Sequence, residues 1–405
     1  MTVGGSVLID RVGELTTNDE DADGVLRDVA IVFDGGTVAW VGPSGSAPAA
    51  DEHVDAAGRA VLPGWVDSHT HLVFAGDRTE EFAARMAGEA YAAGGINVTV
   101  DATRAASDAE LESNLVRLIA EANRGGTTVL ETKTGYGLTI DDEVRSARIA
   151  GRHVDAVTFL GAHVVPRGVD PAAYLDLVTG PMLEAVAPFV SAVDVFCETG
   201  AFDDAATRRV LEAADAAGLA TRVHGNQLGH GPGVQLAVEH GSRSVDHLGF
   251  LDDADVDALA ASWSDDRRGT VATVLPACDL STRMPLAPAR RLLDAGAVLA
   301  IASNANPGTS YTTSMAFAVA TAVLQMRLTV PEAVRAATLG GAIALSMDRD
   351  GWVDPRGVAQ PRVGSITVGA RADLQLLEAP SVTHLAYRPG VPLTAAVWRA
   401  GERIG

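Results

Sequence analysis

Apolar runs and polar turns alternate along this 405-residue chain in two different ways. Near the termini the runs are short and closely spaced. Val7–Ile9, Val29–Phe33 and Thr37–Val41 come first, with Asp34-Gly35-Gly36 as a hairpin turn. Gly364–Ile366, Ala372–Leu377 and Ala395–Trp398 close the chain, so both ends read as β-structure. An acidic run, Asp19–Asp23, reads as a solvated hairpin turn. The middle has a longer rhythm. Eight apolar, β-rich runs appear at Ala60–Val66, Thr127–Glu131, Ala156–Leu160, Ala192–Phe196, Leu219–Val223, Arg243–Val245, Thr270–Leu275 and Val298–Ile301. Between them lie segments of helical period, such as Asp204–Ala217 and Pro331–Leu345. Eight strands with crossover helices predict an α/β fold, a closed (β/α)8 barrel. The competing layout, an open doubly wound sheet, usually carries a glycine-rich phosphate turn after its first strand. Here that strand runs into Ser68-His69-Thr70-His71.

A barrel puts its chemistry at the C-terminal ends of its strands, and polar residues collect there. His69 and His71 end the first strand, and residues two apart on a strand face the same way. His163, His224 and His247 end the third, fifth and sixth. Five of the ten histidines therefore sit at predicted strand ends. A lone His-x-His is most simply two polar residues on a turn. With three more imidazoles at the same rim it becomes a candidate site for Zn²⁺, Fe²⁺ or a similar ion, with one position left open for water. The eighth strand ends in Ser303-Asn304-Ala305-Asn306-Pro307-Gly308, which is turn chemistry in itself and leaves ligand contacts by Asn304 or Asn306 open.

Composition narrows the picture. The net charge of −21 argues against a nucleic-acid partner, which needs clustered positive charge. The longest near-apolar stretch, Met315–Met326, is too short to cross a bilayer, and the first twenty residues have no signal-peptide pattern. Cys197 and Cys278 form no CxxC pair, so no disulfide framework is expected. The default reading is a soluble cytoplasmic protein from a salt-adapted source. The basic residues are almost all arginine. Lys133 is the only lysine, just past the second strand, where either a point-like ammonium is required or a lysine has survived by chance.

Leu62-Pro63-Gly64-Trp65-Val66-Asp67-Ser68-His69-Thr70-His71 resembles the opening of the metal-dependent amidohydrolase superfamily, and Gly364-Ser365-Ile366 with Ala372-Asp373-Leu374 resembles its closing strands. HTHLVFAGDRTEEF (69–82), ETKTGYGL (131–138), TFLGAH (158–163), DVFCETGAF (194–202) and the turn at 306–308 are similar to the imidazolonepropionase family within it. The resemblance implies a TIM barrel, residues 63–357, with a small β-sandwich built from residues 1–62 and 358–405. It implies hydrolysis of a small anionic cyclic amide, 4-imidazolone-5-propionate, to N-formimino-L-glutamate in histidine degradation. It further implies one Zn or Fe ion per chain and is compatible with a homodimer. Position by position, His69, His71 and His224 match metal ligands, and His247 matches the residue that orients or deprotonates water. Arg78, Tyr91, Tyr136, His163 and Asn306 match substrate contacts. Arg78 offers a planar fork for the propionate, or else an ion pair with Glu80 or Glu81.

Two matching positions depart from the family. Asn304 stands where an Asp usually ligates the metal and shuttles the proton, and Gln227 stands where an acid usually contacts the substrate ring. Amides keep the shape but cannot take a proton. Three explanations follow: a working enzyme with His247 as the main base, a hydrolase of a related cyclic amide, or a non-catalytic member that binds ligand or metal. The segment after Tyr91 is also shorter than usual. Asp279, after the seventh strand, reads as a solvated loop carboxylate rather than a substitute acid.

Overall fold

A computed structural model describes residues 5–19, 24–88, 95–264 and 266–405. Tyr91 and most of the acidic run after Asp19 lie outside them. Seven strands come first: β1 (Val7–Val12), β2 (Glu14–Thr16), β3 (Val25–Leu26), β4 (Val29–Asp34), β5 (Thr37–Pro43), β6 (Glu52–Asp55) and β7 (Ala60–Pro63). The barrel strands follow: β8 (Trp65–Asp67), β9 (Thr127–Lys133), β10 (Ala156–Ala162), β11 (Ala192–Cys197), β12 (Ala220–Gly225), β13 (Ser244–His247), β14 (Val271–Val274) and β15 (Leu299–Ile301). The chain closes with a small hairpin, β16 (Trp352–Val353) and β17 (Ala359–Gln360), then β18 (Leu374–Leu377), β19 (Thr394–Arg399) and β20 (Glu402–Arg403).

β8 to β15 form one eight-stranded sheet whose spatial order is the chain order. Its ladders from β9 to β15 are parallel. A bridge between Thr70 and Asn304, with the Asn304 N–H donating to the His69 carbonyl at 3.0 Å, ties the last strand's exit to the first. The predicted barrel is the observed one, and the open sheet is excluded. Helices cross between successive strands. Asp204–Ala216 is typical, with Asp203 as its N-cap accepting from Ala206 N–H. Among the described residues no helix is long and apolar enough to cross a membrane, and both cysteines are free and buried.

Contact density separates two compact units. One runs to Asp67 and takes in Ala120–Val129 and Ser314–Gly405; the other comprises Ser68–Ile119 and Leu130–Thr313. In the first unit, a four-stranded sheet (β5-β4-β1-β6) and a six-stranded sheet (β20-β19-β18-β7-β2-β3) share one core. Ile9, Ile31 and Phe33 from one sheet meet Leu15, Val61, Leu374 and Trp398 from the other. This is a sandwich with strands from both chain ends.

Three local expectations change. Ala60–Val66 is not one barrel strand. Ala60–Pro63 pairs with β18 and β2, and the chain breaks at Gly64, where a Cβ would lie 2.2 Å from Thr128 Oγ1. Gly364–Ile366 forms no strand; the Gly364 carbonyl accepts from Asn18 Nδ2, and Ile366 N–H donates to Thr17. Pro331–Leu345 is helical but not uniformly so. A π-turn at Ala336–Gly340 separates Val330–Arg335 from Gly341–Leu345, and the Asn18 amide reaches Thr338 Oγ1 within it.

Candidate metal centre and substrate cavity

The ends of the barrel strands converge on one cavity in the second unit. His71, Arg78, Tyr136, His163, His224, Gln227, His247, Asn304 and Asn306 all line it. His69 is fully buried, its ring centroid 5.3 Å from that of His71. One ring nitrogen each from His69, His71 and His224 fall within 4.8 Å of one another. His69 Nδ1 pairs with Asp246 Oδ2 at 2.6 Å, and His224 Nδ1 with Asp194 Oδ1 at 2.9 Å. A carboxylate on Nδ1 fixes the ring and leaves Nε2 as a lone-pair donor, the arrangement that supports imidazole metal ligands. His224 Nε2 and Asn304 Oδ1 are buried without a protein partner. Three imidazoles and an amide oxygen fit a divalent cation.

Burial holds His69, His71 and His247 well below the usual imidazole value, so the rings are neutral at pH 7. Burial, with His224 nearby, brings His163 down to about 3. His163 stacks on His71 with ring centroids 5.6 Å apart, and its Nδ1 lies 3.1 Å from the Gly135 carbonyl. Tyr136 packs 5.5 Å from His163 and 6.1 Å from His71. His247 stands over the cluster, 5.3 Å from His224 and 5.6 Å from His69 by ring centroids. Both His247 (φ 87°) and Asn304 (φ 69°) adopt left-handed backbone, which non-glycine residues rarely do. Such strain concentrates where side chains must be aimed, and here it marks two strand exits.

Arg78, also lining the cavity, is buried and grips Glu81 in bidentate fashion, at 2.8 Å from Nε and 2.7 Å from Nη2. The ion pair anticipated for Arg78 forms with Glu81, with the guanidinium buried and the carboxylate half-buried. Its guanidinium packs on the turn at Gly308, where a Cβ would push it from its place beside Glu81. Asn306 Oδ1 accepts from Gly308 N–H at 2.8 Å and holds that turn. The Gln227 backbone N–H donates to Glu198 Oε1, which also accepts from Leu228 at 3.1 Å.

Two residues sit differently from expectation. Asp279 is no solvated loop carboxylate. It is buried on the helix Pro276–Thr282, and an oxygen of it lies within 4.8 Å of Cys278 Sγ and a His247 nitrogen. Burial raises it to about 8, against the pull of the Ala287 N–H. Lys133 is not past the second strand but is its last residue, fully buried, with Nζ 3.0 Å from Glu131 and 2.9 Å from Asp194. Glu131, Asp194, Arg222 and Asp246 were missed by looking only at strand ends. Their signal was a charge inside an otherwise apolar strand, as in AVDVFC and ATRVHG. Burial would raise Asp194 and Asp246. His224 and Lys133 outweigh it at the first, and Arg222 and His69 at the second, so both stay ionised.

Comparisons with known proteins agree with this geometry. The amidohydrolase family model matches residues 60–403. The chain is 63% identical over 402 residues to the imidazolonepropionase of Arthrobacter sp. (strain FB24), covering 98% of this chain and 99% of that one. It is 64% identical over 399 residues to that of Saccharopolyspora erythraea, with the same coverage. Among solved structures, an adenosine deaminase from Xanthomonas campestris with bound zinc superposes with a TM-score of 0.70 at 22% identity, covering 98% of this chain and 92% of that chain. A triazine hydrolase from Arthobacter aurescens gives 0.71 at 17%, covering 99% and 94%. The two structures show the fold; the sequence matches show more, and the chain belongs to the amidohydrolase family and, within it, to the imidazolonepropionases.

Proposed function

We propose that this hydrolase of carbon–nitrogen bonds opens the ring of 4-imidazolone-5-propionate to N-formimino-L-glutamate, using one Zn or Fe ion per chain. His69, His71 and His224 would hold the ion, with the Asn304 amide oxygen as a weak fourth donor. Bound there, it would acidify a water and polarise the ring carbonyl. Arg78, fixed in its plane by Glu81, meets the propionate, while Tyr136, His163 and Asn306 frame the ring. His247 is neutral and stands over the cluster. It takes a proton from the attacking water and returns it to the ring nitrogen as the C–N bond breaks. Gln227 and Asn304 cannot carry that proton, so His247 serves as both base and acid. In this reading residues 63–357 are the catalytic barrel, and 1–62 with 358–405 are the accessory sandwich.

The carrying observation is that the three-histidine cluster, His247 and Arg78 face one cavity. Convergence of the substrate-side residues on it favours this substrate over a related ring. The test is consumption of imidazolonepropionate by metal-loaded protein beside a characterised imidazolonepropionase, at matched high salt, with metal quantified on the same sample. Turnover with about one ion per chain is expected. Loaded protein that leaves the substrate untouched while the reference enzyme consumes it would exclude the activity.

A further inference from the structure

The chain uses arginine for every other basic position, yet its one lysine is among its most deeply buried charges. Lys133 sits below the three histidines and touches two of the carboxylates there. Each of those carboxylates does a second job. Glu131 Oε2 accepts from the backbone N–H of Thr70, the residue between His69 and His71, at 3.1 Å. Asp194 Oδ1 orients the His224 ring. The Lys133 backbone N–H also donates to the Thr70 carbonyl at 2.9 Å. One ammonium thus reaches His224 through Asp194, and the His69–His71 segment through Glu131 and the Thr70 backbone. Arg222 pairs directly with Asp246 at 3.2 Å and acts on Glu131 and Asp194 through the field rather than by contact.

We propose that Lys133 is a positioning residue for the metal centre: its compact ammonium clamps Glu131 and Asp194, and through them sets the His69–His71 segment and the His224 ring in register for one ion. This rests on the metal-dependent reading above. A planar guanidinium carries the same charge, but its donors lie in a fixed, wider fork, which fits the space between two buried carboxylates on neighbouring strands less well than a compact ammonium. That accounts for lysine surviving here alone.

The test strips zinc from the purified, zinc-loaded, full-length protein with a chelator of known affinity, for the parent, Lys133→Met and Lys133→Arg. Circular dichroism and thermal midpoints establish folding. Both variants are expected to hold zinc at least about tenfold more weakly, the scale of losing a group that supports metal ligands. Their kcat should fall by a similar factor while KM stays within about twofold, because Arg78 is held by Glu81 and not by the carboxylates Lys133 clamps. A merely structural role would lower the thermal midpoint without weakening zinc. If Lys133→Met does not fold, the pair Glu131→Gln with Lys133→Met removes both charges together, and zinc should still be held more weakly.

Lys133→Met that holds zinc as tightly as the parent, or more tightly, overturns the clamp; the second result would mean the ammonium acts only by repelling the ion. Lys133→Arg equal to the parent overturns the need for a compact cation. A parent that holds zinc but leaves imidazolonepropionate untouched removes the functional reading and leaves the clamp standing. A parent that holds no zinc removes both.

Discussion

Arg78 and Asn304 show how much one side chain decides at this site. A buried guanidinium on a carboxylate contributes hydrogen bonds worth about 1.5–3 kcal/mol each. Arg78→Met should therefore raise KM about 10–100-fold with a smaller change in kcat, as steady-state kinetics would show; an unchanged KM would place the propionate elsewhere. Asn304→Asp tests the proton path. If His247 carries the proton both ways, restoring the acid changes kcat less than about tenfold. A gain of about a hundredfold or more, the usual range of a general base, would show that the parent lacks one. Asp279 makes a prediction about stability. Its folded value of about 8 lies above its ordinary 3.8, so the folded state binds that proton more tightly than the unfolded state does. The stability this contributes is complete below about pH 4 and is lost as pH rises through about 8. Asp279→Asn should therefore show a thermal midpoint that gains on the parent across that interval. A constant difference between the two would mean the carboxyl is not held protonated.

Strands carry the site because their exits aim side chains inward. β8 is only three residues long, and its placement depends on the break at Gly64. There β7 leaves for the six-stranded sheet, while the Trp65 N–H donates to the Gly126 carbonyl and its indole to Gly125. A methyl group at 64 would meet the buried Thr128 side chain. Gly64→Ala should cost about 1–3 kcal/mol, the range for overpacking, measurable by denaturant unfolding; a neutral effect would mean the two strands can slide apart freely. The π-turn at Ala336–Gly340 shows why a periodic pattern is incomplete evidence. It reads as ordinary helix in the sequence, and only the partners of Asn18, at Thr338 and Gly364, reveal the irregularity.

The charge of −21 belongs to the whole molecule. It cannot attract an anionic substrate, so Arg78 must act against the surrounding field, itself already paired with Glu81. Salt shortens the range of that field from roughly 10 Å at 0.1 M to 3 Å at 1 M. KM for imidazolonepropionate should accordingly fall between those concentrations, with kcat nearly constant. A KM that rises with salt would indicate that Arg78 is screened more than the surface is.

The barrel, the β-structured ends and most of the cavity-lining residues can be read from the chain alone. Alternating runs report which residues leave water, and histidines at strand ends stand out because little else explains them there. His69, His71, His163, His224 and His247 were legible for that reason. What burial does to a charge was not legible. Asp279 read as a solvated carboxylate and Lys133 as a residue beyond its strand, because a linear pattern shows neighbours along the chain and not the groups that fold over them. Folding is what puts Asp279 in the interior beside His247, and Lys133 between carboxylates from two strands. Lys133 and Asp194, the most separated of these neighbours, are 61 positions apart along the chain. Their energies depend on the absence of water, which is a property of the packed whole.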